Sequence, residues 1–128
     1  MAADKISGEV RATRETVLKF ALDTYGTKPE YPWANSPDNA VLRHSSNKKW
    51  YALIMNIPRD RLGLKDGGKS DVMNIKADPA MLGSLLGQRG FYPAYHMNKN
   101  NWVSVLLDGS LKLMEIAPFL DMSFELTE

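Results

Sequence analysis

The side chains best suited to proton transfer near neutral pH are two histidines, His44 and His96. Asp108 follows His96 by twelve residues, across what reads as a strand pair, so a histidine–carboxylate contact is open to it. Ser104 or Ser110 would complete a nucleophilic triad on paper. No nucleophile-elbow sequence accompanies them. Two histidines fall near some Asp and Ser in most chains, so the triad is set aside. Metal chemistry fares no better: no helix carries two ligand-type residues at i, i+3 or i+4 with a third in view. The chain has no cysteine, which excludes a thiolate metal site, a disulfide framework and a cysteine nucleophile. Gly63 to Ser70, with four residues between Gly63 and Gly68-Lys69-Ser70, has the spacing of a phosphate-binding loop, but spacing without its structural context is a weak signal. A strand is expected after it, where that motif requires a helix. The expectation is a non-enzymatic protein without metal or cofactor.

Binding is the chemistry left. The net charge is only +1, but it is unevenly spread. Residues 1–39 carry five basic and six acidic side chains, residues 40–104 ten and four, and residues 105–128 one and five. A basic middle suits an anionic partner; equally, the acidic end can fold against it and neutralise it. Trp50, Tyr51, Tyr92, Tyr95 and Trp102 lie in that basic stretch. Cations beside aromatics suit phosphate contact with base stacking, although strands also favour and bury aromatics.

The elements that would carry these residues are legible. Val17, Leu18, Ala21, Leu22 and Tyr25 recur at helical spacing. Thr13 can cap that helix, 14–25, and Gly26 can end it. Residues 27–39 hold Pro29, Pro32 and Pro37 and read as an ordered loop. Strands are expected at 40–44 and 50–57, joined by a turn at 45–48. The unbroken apolar run of the second suggests a central strand covered on both faces. Residues 59–71 read as a mobile, glycine-rich basic loop, and 72–77 as a third strand. Asp78-Pro79 starts a helix expected to reach Arg89, with Met81, Leu82, Leu85 and Leu86 inward. Strands at 91–95 and 102–107 follow. Asp108-Gly109 turns the chain, Ser110 caps, and 111–126 is helical with Pro118 kinking or restarting it. The fold class is α+β: two layers, an antiparallel five-stranded sheet with helices on one side. Residues 1–12 are expected to be a polar extension and 13–128 a single domain.

Several segments resemble the MmcQ/YjbR family of small bacterial proteins. They are Tyr31-Pro32-Trp33, Tyr95-His96-Met97-Asn98-Lys99 with Trp102 beyond, and Asp108-Gly109-Ser110-Leu111. Asn74 to Pro79 and Ser123 to Leu126 are similar to its strand-to-helix junction and closing helix. The resemblance spans about Thr13 to Thr127. It implies an α-β(3)-α-β(2)-α order, similar to secretion chaperones and CyaY-like folds, with two hairpin projections likened to DNA-binding wings. Pro118 and the long 59–71 loop depart from the pattern.

The leading expectation is therefore a DNA-binding module working by electrostatics from loops. Lys48, Lys49, Arg59, Arg61, Lys65, Lys69 and Lys99, with Arg89, would contact phosphate, and Tyr95 and His96 would stack or hydrogen-bond. A sequence pI of about 7.9 falls short of the value above 9 typical of strong binders. The alternatives are a protein-binding or chaperone-like module using adaptable methionines, and a small-molecule pocket near Trp33, Tyr95 and Trp102. Tyr31, Trp33, His96, Asn98 and Trp102 are expected to cluster. The chain has no run of ~20 apolar residues and starts without a signal-peptide pattern. Cytoplasm is the default location.

Overall fold

A computed structural model describes residues 8–128. Its elements are β1 (Arg11–Thr13), α1 (Arg14–Tyr25), β2 (Ala40–Arg43), β3 (Trp50–Pro58), β4 (Lys69–Lys76), α2 (Leu82–Leu86), β5 (Phe91–Pro93), β6 (Trp102–Leu106), β7 (Asp108–Lys112) and α3 (Leu113–Leu126). Five strands form an antiparallel sheet in the order β2-β3-β4-β6-β5. The fold is α+β, as the residue pattern predicts.

Alternation along the strands sorts side chains between two faces. Ala40, Leu42, Ala52, Ile54, Met73, Ile75, Val103 and Val105 enter one core with Val17, Phe20, Leu85, Ile116 and Leu120 of the three helices. Val41, Leu53, Met55, Ile57, Val72 and Leu106 form a second cluster on the other face. Among the described residues, no α-helix packs against that second cluster. Leu62 and Leu64 from one loop, and Tyr95 and Met97 from another, pack over it. The β2–β3 register slips between Leu42 and Arg43, which oppose Ala52 and Trp50. Tyr51 is the extra residue, so Tyr51 and Ala52 both join the helix-side core.

Helix α1 starts and stops as its sequence predicts. Thr13 and Thr16 form a capping box, and Gly26 closes the end at φ 70. Arg14 then fixes the helix to the sheet: its guanidinium donates to both oxygens of Asp71 and to the Asp38 carbonyl.

Four expectations are corrected. Arg11 and Ala12 are not extension but form strand β1 with Thr13, paired with β7, and Ala12 is fully buried; residues 1–7 lie outside the described residues. Residues 108–112 continue as strand β7 rather than turning into helix. Leu111 and Leu113 are buried on either side of exposed Lys112, a period of two. Ser110 therefore does not cap α3; Glu115 reaches back to the Lys112 amide instead. The helix after Asp78 shrinks to a 3-10 turn, Pro79–Met81, followed by the five residues of α2. Gly83 and Gly87 weaken it, and Met81 and Leu86 are exposed rather than inward. Finally, α3 runs through Pro118 as one helix rather than restarting there. The carbonyl that Pro118 leaves without a donor belongs to Met114, on the exposed side, where water can serve it.

Candidate functional site

The antiparallel sheet has two ends, and the basic residues divide between them. At the first end lie the β2–β3 turn (44–49) and the β5–β6 loop (94–101), because Arg43, Trp50, Lys76, Trp102 and Pro93 all terminate strands there. This end holds Lys48, Lys49 and Lys99. At the second end lies the β3–β4 connection, with Arg59, Arg61, Lys65 and Lys69, and also Arg89 just before β5. Strand β3 has nine residues, so the ends stand roughly 25–30 Å apart. The sequence placed Lys99 with Arg89; the sheet puts them at opposite ends.

The first turn is held rigidly. The His44 amide donates to the Lys49 carbonyl and the Lys48 amide to the His44 carbonyl. The Lys49 amide donates to Asn47 Oδ1, and Lys48 sits at a positive φ of 64. Asn47 Nδ2 donates to the Thr127 carbonyl at 2.9 Å, tying the turn to the end of α3.

The second connection is shorter than its sequence suggests. Residues 59–62 form a 3-10 turn, and β4 begins at Lys69, opposite Pro58. Only residues 63–68 remain as loop. Arg59 is not a free cation. Its guanidinium donates to both oxygens of Asp66, to Ser70 and to Asp108 at 3.0 Å. Those carboxylates raise the Arg59 pKa, Asp66 first. Arg59 in turn holds Asp66 below the usual carboxylate range. For Asp108, partial burial works the other way, but the Ser110 hydroxyl and amide and Arg59 together still lower it.

Asp108 is thus spent on Arg59 and on the Ser110 amide, at the second end, while His96 lies in the loop at the first. Ser104 is fully buried, donating to Asn74. The paper triad does not assemble. Among the described residues, no group of three or more His, Asp or Glu is placed to hold a metal ion.

The Tyr95-His96-Met97-Asn98-Lys99 segment shows why its residue types matter. The Tyr95 amide donates to Ser104 Oγ at 3.0 Å, and Asn74 Nδ2 donates to the Tyr95 carbonyl at 2.8 Å. Asn74 and Ser104 are neighbours on β4 and β6, so two buried polar side chains clamp one backbone unit onto the sheet. Tyr95 and His96 stack at 3.9 Å, with His96 at φ 58. Asn98 builds the loop: its carbonyl accepts from the Asn101 and Trp102 amides, and its side chain from Asn100. Asn98 is therefore a loop-forming residue.

The expected aromatic cluster forms only in part. Trp33 packs edge-on to Trp50 at 5.6 Å, by Val41 on the loop-covered face. Tyr95 packs on that same face, but no ring contact joins Trp33 to His96 or Trp102. Tyr31 lies near Arg14. Sequence reasoning missed Ser123 and Thr127. Ser123 Oγ donates to the Tyr51 carbonyl and accepts from the Lys76 amide. Thr127 Oγ1 bonds His44 Nε2 at 2.7 Å. Hydroxyls on a helix facing a sheet end were the available signal.

Comparison with known proteins agrees with this geometry. The chain is 42% identical over 116 residues to "Uncharacterized protein YyaQ" of Bacillus subtilis (strain 168), covering 91% of this chain and 98% of that one. A crystal structure of a Pseudomonas syringae protein superposes with a TM-score of 0.87 at 46% identity, over 91% of this chain and 99% of the other. The crystal structure of Deinococcus radiodurans protein DR2400 shares the fold, at a TM-score of 0.65 and 22% identity, over 92% of this chain and 80% of that one. Among the described residues, no helix is long and apolar enough to cross a membrane. The YjbR family model matches residues 22–126, which with these likenesses decides the matter: the chain belongs to the YjbR family.

Proposed function

We propose that the protein is a non-enzymatic module that binds nucleic acid, DNA foremost, through electrostatic contacts from its two projecting ends. One observation carries this reading. Arg14, Lys19, Arg43, Arg59 and Arg89 are each paired with a carboxylate. Lys48, Lys49, Arg61, Lys65, Lys69 and Lys99 are exposed, and among the described residues none has a carboxylate within 4.0 Å. Six of the eight residues expected to contact phosphate are thus free to do so; Arg89 pairs with Glu115, and Arg59 instead shapes the loop that presents three of the six.

Spacing adds support. Two projections roughly 25–30 Å apart approach the ~34 Å helical repeat of a duplex, on one side of which backbone phosphates recur. No helix presents a row of base-reading side chains, so the contacts position rather than specify.

The test is an anisotropy titration with a labelled duplex at several salt concentrations. Binding is expected to fall steeply with salt, at about −0.9 per phosphate contact. Lys48→Ala with Lys49→Ala, and separately Arg61→Ala with Lys65→Ala, should each shallow the slope by up to about 2. No binding of duplex or single strand at about 50 mM salt, or binding that ignores salt, overturns the reading. An effect from only one pair overturns the two-ended geometry.

A further inference from the structure

A cleft of about 620 Å³ opens beside the first turn, between the end of α1, residues 43–48 and the end of α3. Its volume lies within the ~300–1,000 Å³ common for small-molecule sites. We infer that it binds a small zwitterion of the α-amino-acid class, with the ammonium at His44 and the carboxylate at Lys28 and Lys48.

The acceptor side comes from His44. Thr127 Oγ1 lies 2.8 Å from the Ser123 carbonyl, to which it donates. Toward His44 it must then accept, which assigns the proton to Nε2 and leaves Nδ1 with a lone pair. Nδ1 has no protein partner, yet it is not sealed inside, because the ring lines the cleft. The ring is 6% exposed and wedged against Phe124 at 4.2 Å and Tyr51 at 5.3 Å. This acceptor is therefore fixed before any ligand arrives. Both bordering helices end here, at Gly26 and Thr127, and neither has a basic residue in its last turn. Their uncompensated carbonyl ends favour a cationic group.

The donor side comes from Lys28 and Lys48, neither with a carboxylate within 4.0 Å although Glu30 feels the Lys48 charge, and from the exposed Ser45 and Ser46 hydroxyls. Arg43 also lines the cleft, but Glu30 takes it in a two-bond pair at 2.7 Å. Glu128 adds a negative charge to the rim. The site thus presents both signs, which a zwitterion satisfies and a simple anion does not. Behind the wall lies the buried Tyr51 hydroxyl, without a partner at full hydrogen-bonding geometry and beside Thr27 of the cleft lining. Burial pushes that phenol up to about 12, so it stays protonated.

The inference shares Lys48 with the nucleic-acid reading, so the test uses variants at two cleft residues outside that reading, His44 and Lys28. Amide spectra of the labelled protein are recorded with each of the common amino acids at about 10 mM, well above a millimolar-class Kd. Inorganic phosphate and ethylammonium serve as single-charge controls. At least one amino acid should shift amides of residues 25–28, 44–48 and 124–128, and bind about tenfold tighter than either control. His44→Phe keeps the ring packing and removes the acceptor, so it should weaken binding about tenfold. Lys28→Ala is on the surface and should weaken it several-fold, which keeps the inference testable if the His44 variant does not fold. No shift at the cleft by any amino acid overturns the proposal. So does phosphate that binds as well as the zwitterion, or a Lys28→Ala variant that binds unchanged.

Discussion

The two projecting ends do the same job by different means. The first turn is closed by neutral hydrogen bonds and fastened to the last helix through Asn47, His44 and Thr127. The second connection is closed by charge: Arg59 gathers Asp66, Asp108 and Ser70. Neutral hydrogen bonds lose little to salt screening, and none of these has a carboxylate partner. An ion-pair cluster with an exposed Asp66 is sensitive to salt and to protonation of its carboxylates. One molecule thus presents lysines from a stiff support and from a condition-dependent one.

The largest effect should come from breaking the first support. Thr127→Val leaves the buried His44 Nε2 proton without an acceptor. It should lower global stability by about 1–3 kcal/mol, measured by urea unfolding. A cost near zero would mean that the turn stands without α3.

Arg59→Ala should act locally. Amide exchange of residues 63–68 is expected to speed up markedly, while global stability changes little, because partly exposed ion pairs contribute little. Unchanged exchange would show that Leu62 and Leu64 alone hold the loop.

Acid should separate the two ends more gently. Asp66 and Asp108 have folded-state pKa values lowered below the ordinary range. A lowered carboxylate pKa contributes stability that is present above the unfolded value and lost as pH falls through the folded one. The second loop should therefore hold at pH 7 and loosen as the pH drops below about 4. The backbone bonds of the first turn have no carboxylate partner, so their exchange protection should fall less over the same range. Equal loosening at both ends would erase the distinction.

Much of this molecule is readable from short stretches. Thr13, Thr16 and Gly26 fix α1 because a capping box and a left-handed closing residue act within one turn. The alternating and continuous apolar runs yield the five main strands, since side-chain period is a property of the local backbone. Missed features had distant partners. Strand β1 is three residues long and depends on β7 at the other end of the chain. Residues 79–89 carry a helical pattern, but Gly83 and Gly87 shorten it.

The candidate sites divide in the same way. Sequence alone determined that this is a family member with an α+β sheet, and that its cations lie on turns and loops rather than along one helix. Only the tertiary structure decided which cations are free. Arg59 meets Asp108 across 49 residues, and His44 meets Thr127 across 83. Charge counting along the chain cannot foresee such pairs, because an ion pair or hydrogen bond is set by separation in space, over a few ångströms.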